Sequence, residues 1–224
     1  MLAIPAPARK HPAVPVGIES IVDHPVQARR NAMSLRNTPL QWGAVSKLLH
    51  WLVAVLVVAM AWLGLTMGEL PNGPDKVATY ALHKSIGLTI LALVVLRLAW
   101  RLHAGAPRPL AGTPAWQERI AAFTHGALYL LLLAMPLSGW MLNSAAGFPL
   151  QWFGLLDVPA LVGEHPDLHE RAEAMHELLF WIMALLVLAH VAAAVFHHVF
   201  LRDATLARML PRGWLRAPQD HGDA

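Results

Sequence analysis

The chain has 224 residues, 56% of them hydrophobic and 14% charged, with a formal net charge of +3. So apolar a composition excludes an ordinary soluble domain and points to an integral membrane protein. The absence of cysteine excludes disulfides, zinc–thiolate sites, iron–sulfur clusters, thiolate-ligated haem and C-x-x-C-H haem attachment, so any redox metal must rest mainly on the 13 histidines.

Residues 1–32 are rich in Pro, Ala and charge and contain no apolar run able to serve as a signal-peptide core. They are expected to form a disordered extension. The stretch MSLRNTPLQWGAVSKLLHW from Met33 looks like a natural start, which leaves an upstream start codon as one origin of the extension. Residues 33–214 are read as the folded domain and 215–224 as a tail.

Four apolar spans follow. Residues 48–68 contain no Asp, Glu, Lys or Arg, and residues 77–96 are interrupted only by Lys84. Residues 120–156 are uncharged, with Pro136, Gly139 and Gly147 suggesting a helix that ends near Leu142 and then a partly buried loop. Residues 178–201 form the last span. Each can cross a hydrocarbon core of about 30 Å, which takes roughly 20 residues. The expected fold is an all-α membrane protein, a bundle of four transmembrane helices.

An even number of spans puts both termini and the connection between the second and third helices on one side. That side holds 14 of the 17 Lys and Arg residues. The other side has only Lys76, Lys84 and Arg171, beside Asp75, Asp157, Glu164, Asp167, Glu170 and Glu173. The positive-inside rule therefore places both termini in the cytoplasm. The basic charge reports this asymmetry and not a nucleic-acid surface.

Histidines in lipid are costly and usually face a bundle interior, a cavity or a cofactor. In MHELLFWIMALLVLAH, His176 and His190 stand fourteen residues apart, roughly 21 Å along the axis and about 40° around it, so they share one helix face. His83 and His176 fall at one depth, roughly 6–9 Å below the outer surface. His50 and His190 fall at another, about 6–10 Å from the inner surface if His197 and His198 mark it. Two bis-histidine sites, His83/His176 and His50/His190, would satisfy all four side chains, and paired imidazoles suit haem iron in a four-helix bundle. For any one of these histidines the competing reading is a packed residue bonded to a carbonyl. Gly64 and Gly87 could leave room for a haem plate, or serve ordinary helix packing.

His125 could bond a haem propionate, a quinone or a carbonyl. His197, on the face of His190, is the rival inner ligand. Lys84 could pair with a propionate or snorkel to the surface. His103, His165 and His169 are expected in solvated loops. Met60, Met67, Met135, Met141 and Met183 read as core filling, and Trp42, Trp51, Trp100, Trp116 and Trp152 as an interfacial belt.

The strings SLRNTPLQWGAVSKLLHW, ALHKSIGLTILALVVLRLAWR, THGALYLLLLAMPLSGW, SAAGFP, HVAAAVFHH and RDATLARMLPRGW together resemble the bacterial cytochrome b561 family, from residue 33 to about 214. The resemblance implies a multi-pass protein of the bacterial inner membrane with two haem b groups. It maps the axial ligands onto the same four histidines, pairing His50 with His190 and His83 with His176. Members of the family move single electrons between the quinone pool and a second redox partner, and one branch carries them from superoxide at the outer face to ubiquinone. The function expected from it is a quinone-linked oxidoreductase, superoxide oxidase-like. The alternatives are a membrane cytochrome b subunit of a hydrogenase or dehydrogenase complex, and a haem-free packing or transport protein. On the leading reading Lys84 and Arg171 are the positive charges nearest the outer ligands, where a small anion would meet them. His125, His197, His198, Arg101 and Arg119 stand on the inner side, where a quinone would react.

Overall fold

The computed structural model describes residues 34–211 and 214–215. The expected extension over residues 1–32 lies outside the described residues, as does most of the expected tail. The described residues from Leu35 onward form one compact unit. Its elements are α1 (Ala44–Thr66), a short 3-10 turn (Met67–Glu69), α2 (Pro74–Ala104), α3 (Ala115–Ala145), β1 (Leu150–Trp152), β2 (Leu156–Val158) and α4 (Pro166–Val199). All four α-helices are long and apolar enough to cross a membrane.

Local chemistry explains the helix ends. Pro74 and Pro166 open α2 and α4, where a missing N–H costs nothing. Gly105, with φ of 69°, ends α2 in the left-handed conformation that glycine tolerates. Helix α4 starts at Pro166, well before the apolar run at residue 178. His165 caps it by accepting from Leu168 N–H through Nδ1, and Asp167 suits the positive helix N-terminus. Arg171, Glu170 and Glu173 thus ride on a helix and not a loop.

Helix α3 passes through Pro136 and continues beyond Leu142 to Ala145. Its last turn is held by side chains: Ser144 Oγ donates to Trp140 O, and Leu161 N–H donates back to Ser144 Oγ. The partly buried loop expected next contains a two-stranded antiparallel hairpin, with Leu150 opposite Val158, Gln151 opposite Asp157 and Trp152 opposite Leu156.

The helices pack as neighbours in chain order, α1 on α2, α2 on α3 and α3 on α4. The buried centre is Val53, Ile90 and Val94, surrounded by residues of α1, α2 and α3 that include Met60, Tyr129 and Leu133. Helix α4 stands apart. Among the described residues no Cα of α4 comes within 8 Å of a Cα of α1 or α2, and its only buried residue is Ala172. Sidedness of packing therefore leaves a slot between α4 and the α1/α2 pair.

One end of the bundle is tied by polar contacts. Asn37 Nδ2 donates to Gly105 O, while Asn37 Oδ1 accepts from Gly43 N–H and Ser46 Oγ. Arg208 donates to Leu40 O and Arg108 O, Lys47 Nζ to Leu210 O, and Trp51 Nε1 to Met209 O. The segment before α1, the α2–α3 connection and the segment after α4 thus share this strapped end. The hairpin lies at the other. Trp51, Trp100 and Trp152, expected as interfacial belt residues, each donate to a protein acceptor.

Candidate cofactor site

Two pairs of imidazoles bridge the slot. At the hairpin end, His83 of α2 and His176 of α4 have ring centroids 6.4 Å apart with planes at 70°. Toward the strapped end, His50 of α1 and His190 of α4 repeat the arrangement at 6.4 Å and 71°. A first-row metal takes imidazole nitrogen at about 2.0–2.1 Å, so two imidazoles on opposite sides of one ion put their centroids roughly 6 Å apart. The observed spacing fits that arrangement at both levels. Among the described residues no three His, Asp or Glu side chains come together in a way that could hold a metal ion by themselves. The donors come in twos, a set that would suit a metal whose remaining positions a planar ligand supplies.

The surroundings of the hairpin-end pair, His83 and His176, are shaped around the rings. A Cβ on Gly139 would lie 3.0 Å from His176 Cε1, and one on Gly64 would lie 3.4 Å from His83 Cε1. His83 Nδ1 is buried and has no hydrogen-bond partner. Ser138 Oγ donates to Met135 O at 2.8 Å and lies 2.8 Å from His176 Nδ1. With its one proton on Met135 O, the hydroxyl can only accept from His176 Nδ1–H. That tautomer leaves the His176 Nε2 lone pair free for a metal, held as metal-bound histidines usually are. Of the two roles expected for Gly87, helix packing is the one its surroundings fit, since a Cβ there would meet the Met60 methyl of α1 at 3.6 Å, an ordinary contact.

The pair toward the strapped end, His50 and His190, has charged company. Arg97 Nη1 lies 2.9 Å from His50 Nδ1, its Nε donates to Tyr129 OH at 3.1 Å, and Arg101 stands over the Tyr129 ring. His125 packs against His190 at 5.4 Å between centroids, shorter than a metal-spanning pair requires, so the geometry favours His50 as the partner of His190. His197 instead donates through Nδ1 to Asp203 Oδ2 at 2.6 Å. Burial pushes the Asp203 carboxyl up, but hydrogen bonds from His197 and Thr205 outweigh it and hold the group below the usual carboxylate range. The pair ties the end of α4 to the segment after it.

Other candidates fall elsewhere. Lys84 donates to Asn143 Oδ1 at 3.0 Å and Pro149 O at 3.3 Å, which fastens α2 to α3 and the hairpin connection. Arg171 is exposed on α4. The three histidines expected in loops are placed differently: His103 lies in the last turns of α2, His165 caps α4, and His169 within α4 sits 3.4 Å from Leu142 O. Reasoning from sequence missed Gly139, Ser138 and Arg97 as neighbours of the histidines. Arg97 carried a signal, because it follows His83 by the same fourteen residues that separate His176 from His190.

Fold and site together define a four-helix membrane protein in which paired histidines face one another across an open interior slot. A family model described as prokaryotic cytochrome b561 matches residues 41–212, and the chain belongs to that family. It is similar to Cytochrome b561 homolog 2 of Escherichia coli (strain K12), 37% identical over 185 residues that cover 80% of this chain and 95% of that protein. It is also similar to Probable superoxide oxidase CybB of Yersinia pestis, 30% identical over 73% of this chain and 92% of that protein. Cytochrome b562 of Cereibacter sphaeroides is 31% identical over 72% of this chain and 90% of its own length. The chain is a membrane electron-transfer cytochrome of the b type.

Proposed function

We propose that the chain holds two haem b groups, one between His83 and His176 and one between His50 and His190, and passes single electrons through them to the quinone pool. The observation that carries this reading is that helices whose backbones do not touch send imidazoles to 6.4 Å from each other at two levels. When bound, the haems supply a one-electron couple at each level. The protein orients the ligands: Ser138 fixes the His176 tautomer, Gly139 keeps the His176 ring surface clear, and Arg97 supplies a positive charge beside His50. The charge asymmetry of the sequence supports a bacterial inner-membrane location with the strapped end in the cytoplasm. The purified protein should show low-spin b spectra and two haems per chain by pyridine haemochrome, all extractable with acid acetone. One haem per chain would overturn the paired-site reading.

The donor is read as a small one-electron reductant such as superoxide reacting at the hairpin end, with ubiquinone reduced at the strapped end near His125 and His197. Arg171 is exposed five residues before His176 and is suited to attract an anion. Lys84 is already bonded to Asn143 and Pro149 and is the less available charge. In Arg171→Gln, haem reduction by superoxide should slow and lose salt dependence, while reduction by quinol stays unchanged. Unchanged superoxide rates at low ionic strength would remove Arg171 from the path.

A further inference from the structure

We infer that the β1–β2 hairpin is a membrane-embedded element, whose apolar tip at Phe153 and Leu155 inserts into the lipid leaflet at its end of the bundle. The argument begins with depth. Phe153 N–H donates to Ser85 Oγ at 2.9 Å, and Trp152 Nε1 donates to Thr89 Oγ1 at 3.0 Å. Ser85 and Thr89 lie beyond His83 in α2, well inside the apolar run of residues 77–96. The hairpin tip therefore lies alongside the membrane-crossing part of α2 instead of above it.

A segment at that depth must satisfy its polar groups within the protein. The hairpin does so through its own strand pairing, the Leu155 N–H bond to Trp152 O, and Lys84 Nζ donating to Pro149 O. Its charged residue Asp157 accepts from Gln151 Nε2. Its large apolar side chains are left uncovered by the protein: Phe153 is 47% exposed, Leu155 74% and Leu156 61%, and Phe148, just before β1, 65%.

The turn itself is built against local preference. Phe153 and Gly154 have φ of 50° and 69°, a pair for which tight hairpins favour Asn-Gly. A bulky aromatic residue in the left-handed region is strained. Its ring packs edge-on against Trp152 at 5.4 Å between centroids but stays half exposed, and lipid at this depth is the environment that would cover the rest. A soluble partner protein would have to reach below the headgroups to touch the same side chains.

The test uses the absence of native cysteine, which makes a single introduced thiol unique. Spin-labelled Leu155→Cys in phospholipid vesicles should collide severalfold more with dissolved oxygen than with a water-soluble nickel chelate. Label at Leu130→Cys, on the exposed face of α3, should behave the same way, and label at Glu164→Cys should show the opposite preference. Phe148→Cys, two residues before β1, gives a second position if Leu155→Cys fails to fold. Nickel access at residues 155 or 148 equal to that at 164 would place the hairpin in water and overturn the inference, leaving a soluble partner as the remaining occupant. The measurement does not depend on haem or on electron donor.

Discussion

His83→Ala and His176→Ala should each remove one and the same haem, while His50→Ala and His190→Ala each remove the other. The pairing follows from geometry. Among the described residues His83 and His176 form the histidine pair at the hairpin end, and His50 reaches His190 at the matching 6.4 Å. With one of its two histidines removed, a site would hold haem through a single imidazole, between helices whose Cα atoms stay more than 8 Å apart, so retention should collapse for that haem alone. Substitution of groups that merely orient metal ligands already costs about 10–100-fold in metal affinity, and loss of a ligand should exceed this. The readouts are haem per chain and which low-spin signal disappears in low-temperature spectra. His125→Ala and His197→Ala should keep both haems, because His125 packs too close to His190 to share an ion with it and His197 is bonded to Asp203. If His197→Ala behaved like His50→Ala, the inner site would lie two turns further along α4.

The four histidines were legible because helical spacing is rigid. Fourteen residues return nearly to the same face, so His176 and His190 had to look into one slot, and depth then selected their partners. The four spans were legible for a similar reason, since hydrocarbon thickness fixes their minimum length. Their ends were not. Asp167, Glu170 and Glu173 ended the apolar run near residue 178, yet they extend α4 as a polar first part. The hairpin left no alternating pattern, because its strands are three residues each and lie against α2. Gly139 read as a helix breaker beside Pro136, but its missing side chain makes room for the ring of His176. Contacts between helices distant in sequence decide such roles, and a linear pattern does not contain them.

Gly139 gives the sharper test of that packing. A Cβ there would lie 3.0 Å from Cε1, 3.5 Å from Nδ1 and 3.8 Å from Nε2 of His176, and the same ring is held 2.8 Å from Ser138 Oγ by the adjacent residue of α3. The ring cannot move aside without losing the Ser138 contact or its aim across the slot toward His83. Gly139→Ala should therefore weaken retention of the outer haem, and Gly139→Val should abolish it while the inner haem stays. Helix propensity works in the opposite direction, because replacing a mid-helix glycine by alanine stabilises by about 1 kcal/mol. Haem loss from a chain with a better helix former cannot then be assigned to a weakened α3. Gly64→Ala meets His83 at 3.4 Å, an ordinary contact, and should keep both haems. Gly126→Val, in the same helix as Gly139 but with nothing within 4 Å of its Cβ, controls for β-branching and should also keep both. The series is read by haem stoichiometry together with the midpoint potential of the outer haem. Both haems retained in Gly139→Val, with an unshifted potential, would show that the glycine does not position His176.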